Sequence, residues 1–194
     1  MKLKSKWPVR RFFAFLGALY LFCAVTPLLF AESGTTKSES VFRIYDTATE
    51  TVRTVNDLDF LCGALPCEMA VSAPDEALKA QIIAIHTLYD RKRRENTGKD
   101  FDFTCDSAEK SIYTVDAGLT DEEQNRVRAL CLSVLDKEIY FENEPINACY
   151  FAISAGCTQP FENVWPEKSY PYLTAVACPS DLLAQGFQLS LIHI

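Results

Sequence analysis

The sequence predicts an α+β fold, and three observations carry that expectation. "VFRIY" and "TVRTV" alternate apolar and polar residues on either side of "DTATE", as two strands joined in a hairpin do. Two later segments carry the start and stop signals of helices. Beyond them, "KEIYF" and "INACYFAIS" return to strand-like composition. An apolar fraction of 48% over 194 residues is enough to build one real core, with a segment left over.

The surplus lies at the front. Lys2, Lys4, Lys6, Arg10 and Arg11 precede a charge-free run from Phe12 to Phe30. As a helix that run is roughly 28 Å long, close to the hydrocarbon thickness of a bilayer. A cleaved signal peptide has a shorter apolar run and small residues before its cut site; Ala31 fits that pattern, but Leu29 does not. Residues 1–31 therefore read as a basic cytoplasmic end and an uncleaved signal anchor, with cleavage as the alternative. Either way the remainder is exported, which predicts a single-pass protein of the cell membrane with its domain on the extracytoplasmic side. Residues 32–40, "ESGTTKSES", are small and polar and read as a tether.

The hairpin follows, and then "DLDFLCGALPCEMA" as a short helix or turn. Ser72 and Pro74 open a helix that runs to about Asn96, with Gly98 as its stop. Thr120 and Glu123 form a capping box for a second helix, whose Val127, Leu130 and Val134 recur at helical spacing. "KEIYF" and "INACYFAIS" are expected as strands, and the stretch through "FENVWPEKSYPYL" as loop. The domain is thus expected over residues 41–188. "LSLIHI", residues 189–194, is an apolar tail after a polar segment, and it reads like the translation of a transposon-derived sequencing adapter. On that reading the native frame continues past Gln188, and His193 is not native.

Charge excludes one class of partner. The front segment holds five of the 19 cations and no acid, so the rest carries 14 cations against 26 acids, net −12. So acidic a domain is a poor polyanion binder, and nucleic acid is not an expected partner. The basic run Arg91–Arg94 falls at a helix end, where cations suit the helix dipole. Seven cysteines follow the anchor: Cys62, Cys67, Cys105, Cys131, Cys149, Cys157 and Cys178. An odd number leaves at least one free, intermolecular or buried as a small hydrophobe, and spacing leaves the pairing open. Cys62 and Cys67 have a spacing that zinc can use, but no second close pair accompanies them and histidine is nearly absent. No metal and no cofactor is expected.

The ordered set "VFRIYDTATETVRTV", "DLDFLCGALPCEMAVSAPDEALKAQIIAIHTLY" and "INACYFAISAGCTQPFENVWPEKSYPYLTAV" resembles the family of stage II sporulation protein D, which includes amidase enhancers of the bacterial cell wall. The resemblance implies a lytic transglycosylase that cleaves peptidoglycan glycan strands stripped of stem peptides, during engulfment in sporulation. It puts the catalytic acid at Glu68. A single carboxylate makes chemical sense there. Ordinary glycosidases need two, whereas a lytic transglycosylase uses the sugar's own 6-hydroxyl as nucleophile and leaves a 1,6-anhydromuramyl end. Apolar walls from Leu65, Met69 and Val71 would help hold the proton.

The resemblance also implies substrate-binding roles for Lys79, His86, Tyr150, Ser154 and Thr158. Lys79 and His86 lie two helical turns apart and project from one face. His86 stands where the family usually has arginine, Ala70 where it has proline, and Phe151 and Ala152 where it has histidine and serine. Of the structural zinc ligands of some family members only Cys105 is matched, with Lys99 and Ser111 at the other places. Expected partners are the glycan strands, a cell-wall amidase and a membrane partner of the engulfment machinery. Two alternatives accompany the enzyme: a non-catalytic glycan binder that recruits or stimulates an amidase, and a disulfide-stapled exported domain of unrelated role.

Overall fold

The computed structural model describes residues 40–109, 111–166 and 169–184. The signal anchor, most of the tether and the tail at 189–194 lie outside these residues. No helix among the described residues is long and apolar enough to cross a membrane.

The described residues form a mixed α+β fold. The predicted hairpin is β1 (Val41–Asp46) and β2 (Thr51–Asn56), antiparallel with Val41 opposite Asn56 and Asp46 opposite Thr51. Strand alternation puts Phe42, Ile44 and Asp46 inside. The hairpin runs directly into α1 (Asp57–Glu68), capped by the Asn56 side chain, which accepts from the Asp59 N–H at 2.8 Å. α2 (Asp75–Glu95) spans nearly the predicted range, and Gly98 beyond it adopts the left-handed φ of +87°. α3 (Asp121–Val134) opens on the predicted capping box and buries Val127, Leu130, Cys131 and Val134.

One strand was not foreseen. β3 (Phe103–Cys105) pairs parallel to β1, giving a three-stranded sheet in the order β2-β1-β3. At three residues it is too short to show a period. Asp102 beside it anchors the join: it is 1% exposed, accepts the Arg43 backbone N–H at 2.7 Å and pairs with the Arg43 guanidinium at 2.6 Å. The core lies between this sheet and the helices. Phe60 of α1 sits at its centre, with ring centroids 4.6 Å from Phe42, 5.4 Å from Phe103 and 5.1 Å from Tyr89. Contacts of this kind add about 0.5–1.5 kcal/mol each beyond area burial.

The segment from Ser111 to Ala117 crosses α1 at Gly63. A Cβ there would lie 2.4 Å from the Thr114 carbonyl oxygen and 2.5 Å from the Tyr113 ring. Only glycine permits the approach, which the Thr114 N–H secures by donating to the Gly63 carbonyl at 3.2 Å.

The late strands need correcting. "KEIYF" contributes only β4 (Tyr140–Phe141), paired with β5 (Glu144–Pro145) in a two-residue ribbon whose turn residues Glu142 and Asn143 have positive φ. "INACYFAIS" forms no strand. Beyond Ile146, whose N–H reaches the Ile139 carbonyl at 3.0 Å, two of its backbone donors go to side chains: the Asn147 N–H to the Tyr172 hydroxyl at 2.9 Å and the Ser154 N–H to Asp181 at 2.8 Å. With side chains taking those bonds, strand composition has no ladder to join. A four-residue helix, α4 (Phe161–Val164), and a 3₁₀ turn at Pro179–Leu183 interrupt the expected loop.

Candidate functional site

Glu68 is the last residue of α1. Pro66 has no N–H to give the helix, and Met69 leaves it in an extended conformation. The carboxylate is therefore presented at a helix end, on the exposed side. Leu65 does not wall it: that side chain is wholly buried in the core, and Met69 and Val71 pack against the same core from its edge. A helical residue three before another points to a neighbouring but different part of the surface, and here Leu65 takes the inward side.

The groups around Glu68 come from further along the chain. Tyr150 lies within electrostatic reach of it: burial first, and then the negative charge of Glu68, push the Tyr150 phenol well above its usual range. Tyr89 on α2 is raised in the same sense and for the same two leading reasons. Lys92, one turn beyond Tyr89, has its ammonium 4.5 Å from the centre of the Tyr89 ring. Burial lowers its pKa, against the attraction of Glu95, Cys149 and Glu68. The Glu68 charge is thus felt by two phenols and a partly desolvated cation.

Tyr150 also lines a groove of about 520 Å³. Predicted Ser154 and Thr158 lie in the same wall, with Phe151, Trp165 and Tyr172 as its aromatic surfaces. Trp165 is 53% exposed and stacks on Phe161 at 4.6 Å. Both hydroxyls already have partners. Ser154 donates to the Asp181 carboxylate at 2.7 Å, and that bond leads the lowering of the Asp181 pKa. Thr158 accepts from the Val176 N–H at 2.8 Å. Each keeps spare hydrogen-bonding capacity.

Four of the six predicted residues are thereby connected: Tyr150, Ser154 and Thr158 in one groove, with Glu68 joined to it through Tyr150. Lys79 and His86 are not among the groove's lining residues. Lys79 pairs with Glu76 of its own helix at 2.7 Å and borders a separate hollow with Ser133 and Lys137. His86 is 4% exposed, with Nε2 3.5 Å from Asp57 and 3.8 Å from Glu138. Sequence reasoning missed Tyr89, Lys92, Trp165 and Tyr172. The first two share a helix face at i and i+3, a signal that was available; the aromatic pair lay in a stretch read only as loop. Among the described residues no group of histidine, cysteine, aspartate and glutamate is placed to hold a metal, and Cys105 is buried in β3.

The fold and site together define an α+β domain that presents one carboxylate beside an aromatic groove. The family model described as Stage II sporulation protein matches residues 45–133. Stage II sporulation protein D of Bacillus subtilis (strain 168) is 26% identical over 148 residues, which is 71% of this chain and 43% of that protein. The protein of the same name from Bacillus amyloliquefaciens is 28% identical over the same shares. These matches support the stage II sporulation protein D family for this chain and, with it, a role in sporulation. It spans less than half the length of these two relatives. Glu68, Lys79 and His86 fall inside the matched family segment; Tyr150, Ser154 and Thr158 lie beyond it.

Proposed function

We propose that the protein is a peptidoglycan lytic transglycosylase acting on stem-peptide-free glycan strands, with Glu68 as its acid and base. The observation that carries this reading is the placing of Glu68 at an exposed helix end, where its charge acts on Tyr150 in the wall of the aromatic groove. Glu68 would give its proton to the glycosidic oxygen as that carbon–oxygen bond breaks. The muramyl 6-hydroxyl would then close on the anomeric carbon and return its proton to Glu68, leaving a 1,6-anhydro end. Exposed aromatic faces such as Trp165 suit the apolar faces of sugar rings, and Ser154 and Thr158 have hydrogen-bonding capacity to spare for sugar hydroxyls. In this proposal the domain works outside the cell membrane, held by Phe12–Phe30, during engulfment and beside a cell-wall amidase and a membrane partner.

The test is product analysis on such strands, comparing the chain with Glu68→Gln. Mass spectrometry should find ends one water lighter than hydrolysis products, reduced about 100-fold or more in the variant. A folded chain that makes none would favour the second reading, a non-catalytic binder that recruits or stimulates an amidase. One observation favours that alternative: His86, where the resemblance expects a cleft arginine, is buried against Asp57 and Glu138. In that case amidase stimulation should survive Glu68→Gln.

A further inference from the structure

α1 and α3 pack side by side, and their side chains meet in rungs. Asp59 and Arg128 form one rung, an ion pair at 3.0 Å. One turn further along each helix stand Cys62 and Cys131, both thiols in the structure and both on the side where the two helices pack. Cys131 belongs to the buried core, while Cys62 packs against it from the edge. Cys62 also lines a hollow of about 390 Å³ together with Gly63, Tyr113 and Arg128, so a reagent can reach it. We infer that Cys62 and Cys131 are a redox pair that closes under oxidising conditions into a disulfide pinning α1 to α3.

The chemistry is asymmetric. A hydrogen bond from Cys131 and the charge of Arg128 favour the thiolate at Cys62, against the effect of burial, whereas the same contact and burial hold Cys131 as the thiol. Cys62 is therefore the attacking sulfur. With glutathione disulfide as oxidant, the Cys62 thiolate takes one glutathione sulfur and releases the other as thiolate, which picks up a proton. Cys131 then loses its proton, attacks the Cys62 sulfur of the mixed disulfide and expels the second glutathione. Two protein thiols are oxidised and one glutathione disulfide is reduced to two thiols. The closed loop would hold about 70 residues, long enough for a strong constraint on the unfolded chain. This inference stands apart from the glycan-cleaving proposal.

The experiment uses the full chain in detergent, oxidised natively with glutathione disulfide and then alkylated in denaturant without reductant. Trypsin digestion should yield the peptide from Ala129 to Lys137 joined to the one from Thr54 to Lys79, two mass units lighter than the separate thiols. Fragment ions across Leu65–Pro66 should put the link at Cys62 rather than Cys67. The oxidised chain should melt about 10 °C above the reduced one, and Cys62→Ser should lose both the link and the shift. Alkylation of both Cys62 and Cys131 after oxidation, or a link from Cys131 to any other cysteine, would overturn the inference.

Discussion

The charge of Glu68 at the end of α1 acts on Tyr150, and the phenol's raised pKa keeps it a neutral donor at any ordinary assay pH. Tyr150→Phe should therefore lower anhydro-product formation by about 5-fold without changing its pH profile, since a neutral hydrogen bond contributes on the order of 1 kcal/mol. Its melting temperature should hardly move; a large drop would mark Tyr150 as structural. Asp46 illustrates a different residue-level effect. The Ser107 side chain, opposed by burial and helped by the backbone N–H groups of Ser107 and Ala48, holds its pKa down at about 2. A carboxyl depressed in the folded state stabilises it above the unfolded pKa of about 4, and that contribution is lost as pH falls toward 2. Asp46→Asn should flatten the acid limb of stability between about pH 4 and pH 2. Denaturant midpoints for both chains across that window would check this; parallel curves would refute it.

Among the elements, α1 carries most of the consequences. It follows the hairpin without a linker, buries Phe60, Leu61, Ala64 and Leu65, and ends by presenting Glu68. Its close contact with the segment from Ser111 to Ala117 depends on Gly63. Gly63→Ala gains helix propensity, worth about 1 kcal/mol, yet forces a methyl against a backbone carbonyl and a packed ring. Overpacking of this kind costs about 1–3 kcal/mol, so the variant should be destabilised by up to about 2 kcal/mol net. Urea denaturation would measure it, and a stabilised Gly63→Ala would mean that the crossing segment moves aside freely. The late segments behave differently. β4 and β5 are too short to stand alone, and the groove's wall from Tyr150 to Val176 is held by side chains of Asp181 and Thr158 together with a single antiparallel bridge between Cys157 and Ala177.

Across the whole molecule, the Phe60 ring joins otherwise separate parts. It touches Phe42 of the sheet, Phe103 of β3, Tyr89 of α2 and Tyr113 of the crossing segment. Phe60→Ala should cost about 3–5 kcal/mol, because the cavity is ringed by elements that cannot all collapse into it. The loss should lower the midpoint of a single urea transition. A cost below about 1 kcal/mol would show that the core relaxes around the gap.

Local signals in the chain were sufficient for the hairpin, the ends of α2 and the capping box of α3. Each depends on residues within a few positions of one another: strand alternation, Gly98 after a helix, Thr120 with Glu123. Family likeness marked Glu68, which no period or spacing distinguishes from an ordinary helix-end acid. What sequence could not provide was company. Tyr150 comes within reach of the Glu68 charge across 82 positions of chain, β3 exists because β1 offers a free edge, and "INACYFAIS" is no strand, with Tyr172 and Asp181 taking two of its donors. His86 and Lys79 share a helix, yet burial against Asp57 and Glu138 takes one inside while the other stays with Glu76. Contacts distant in sequence are set by which surfaces pack together, and that is a property of the folded chain as a whole.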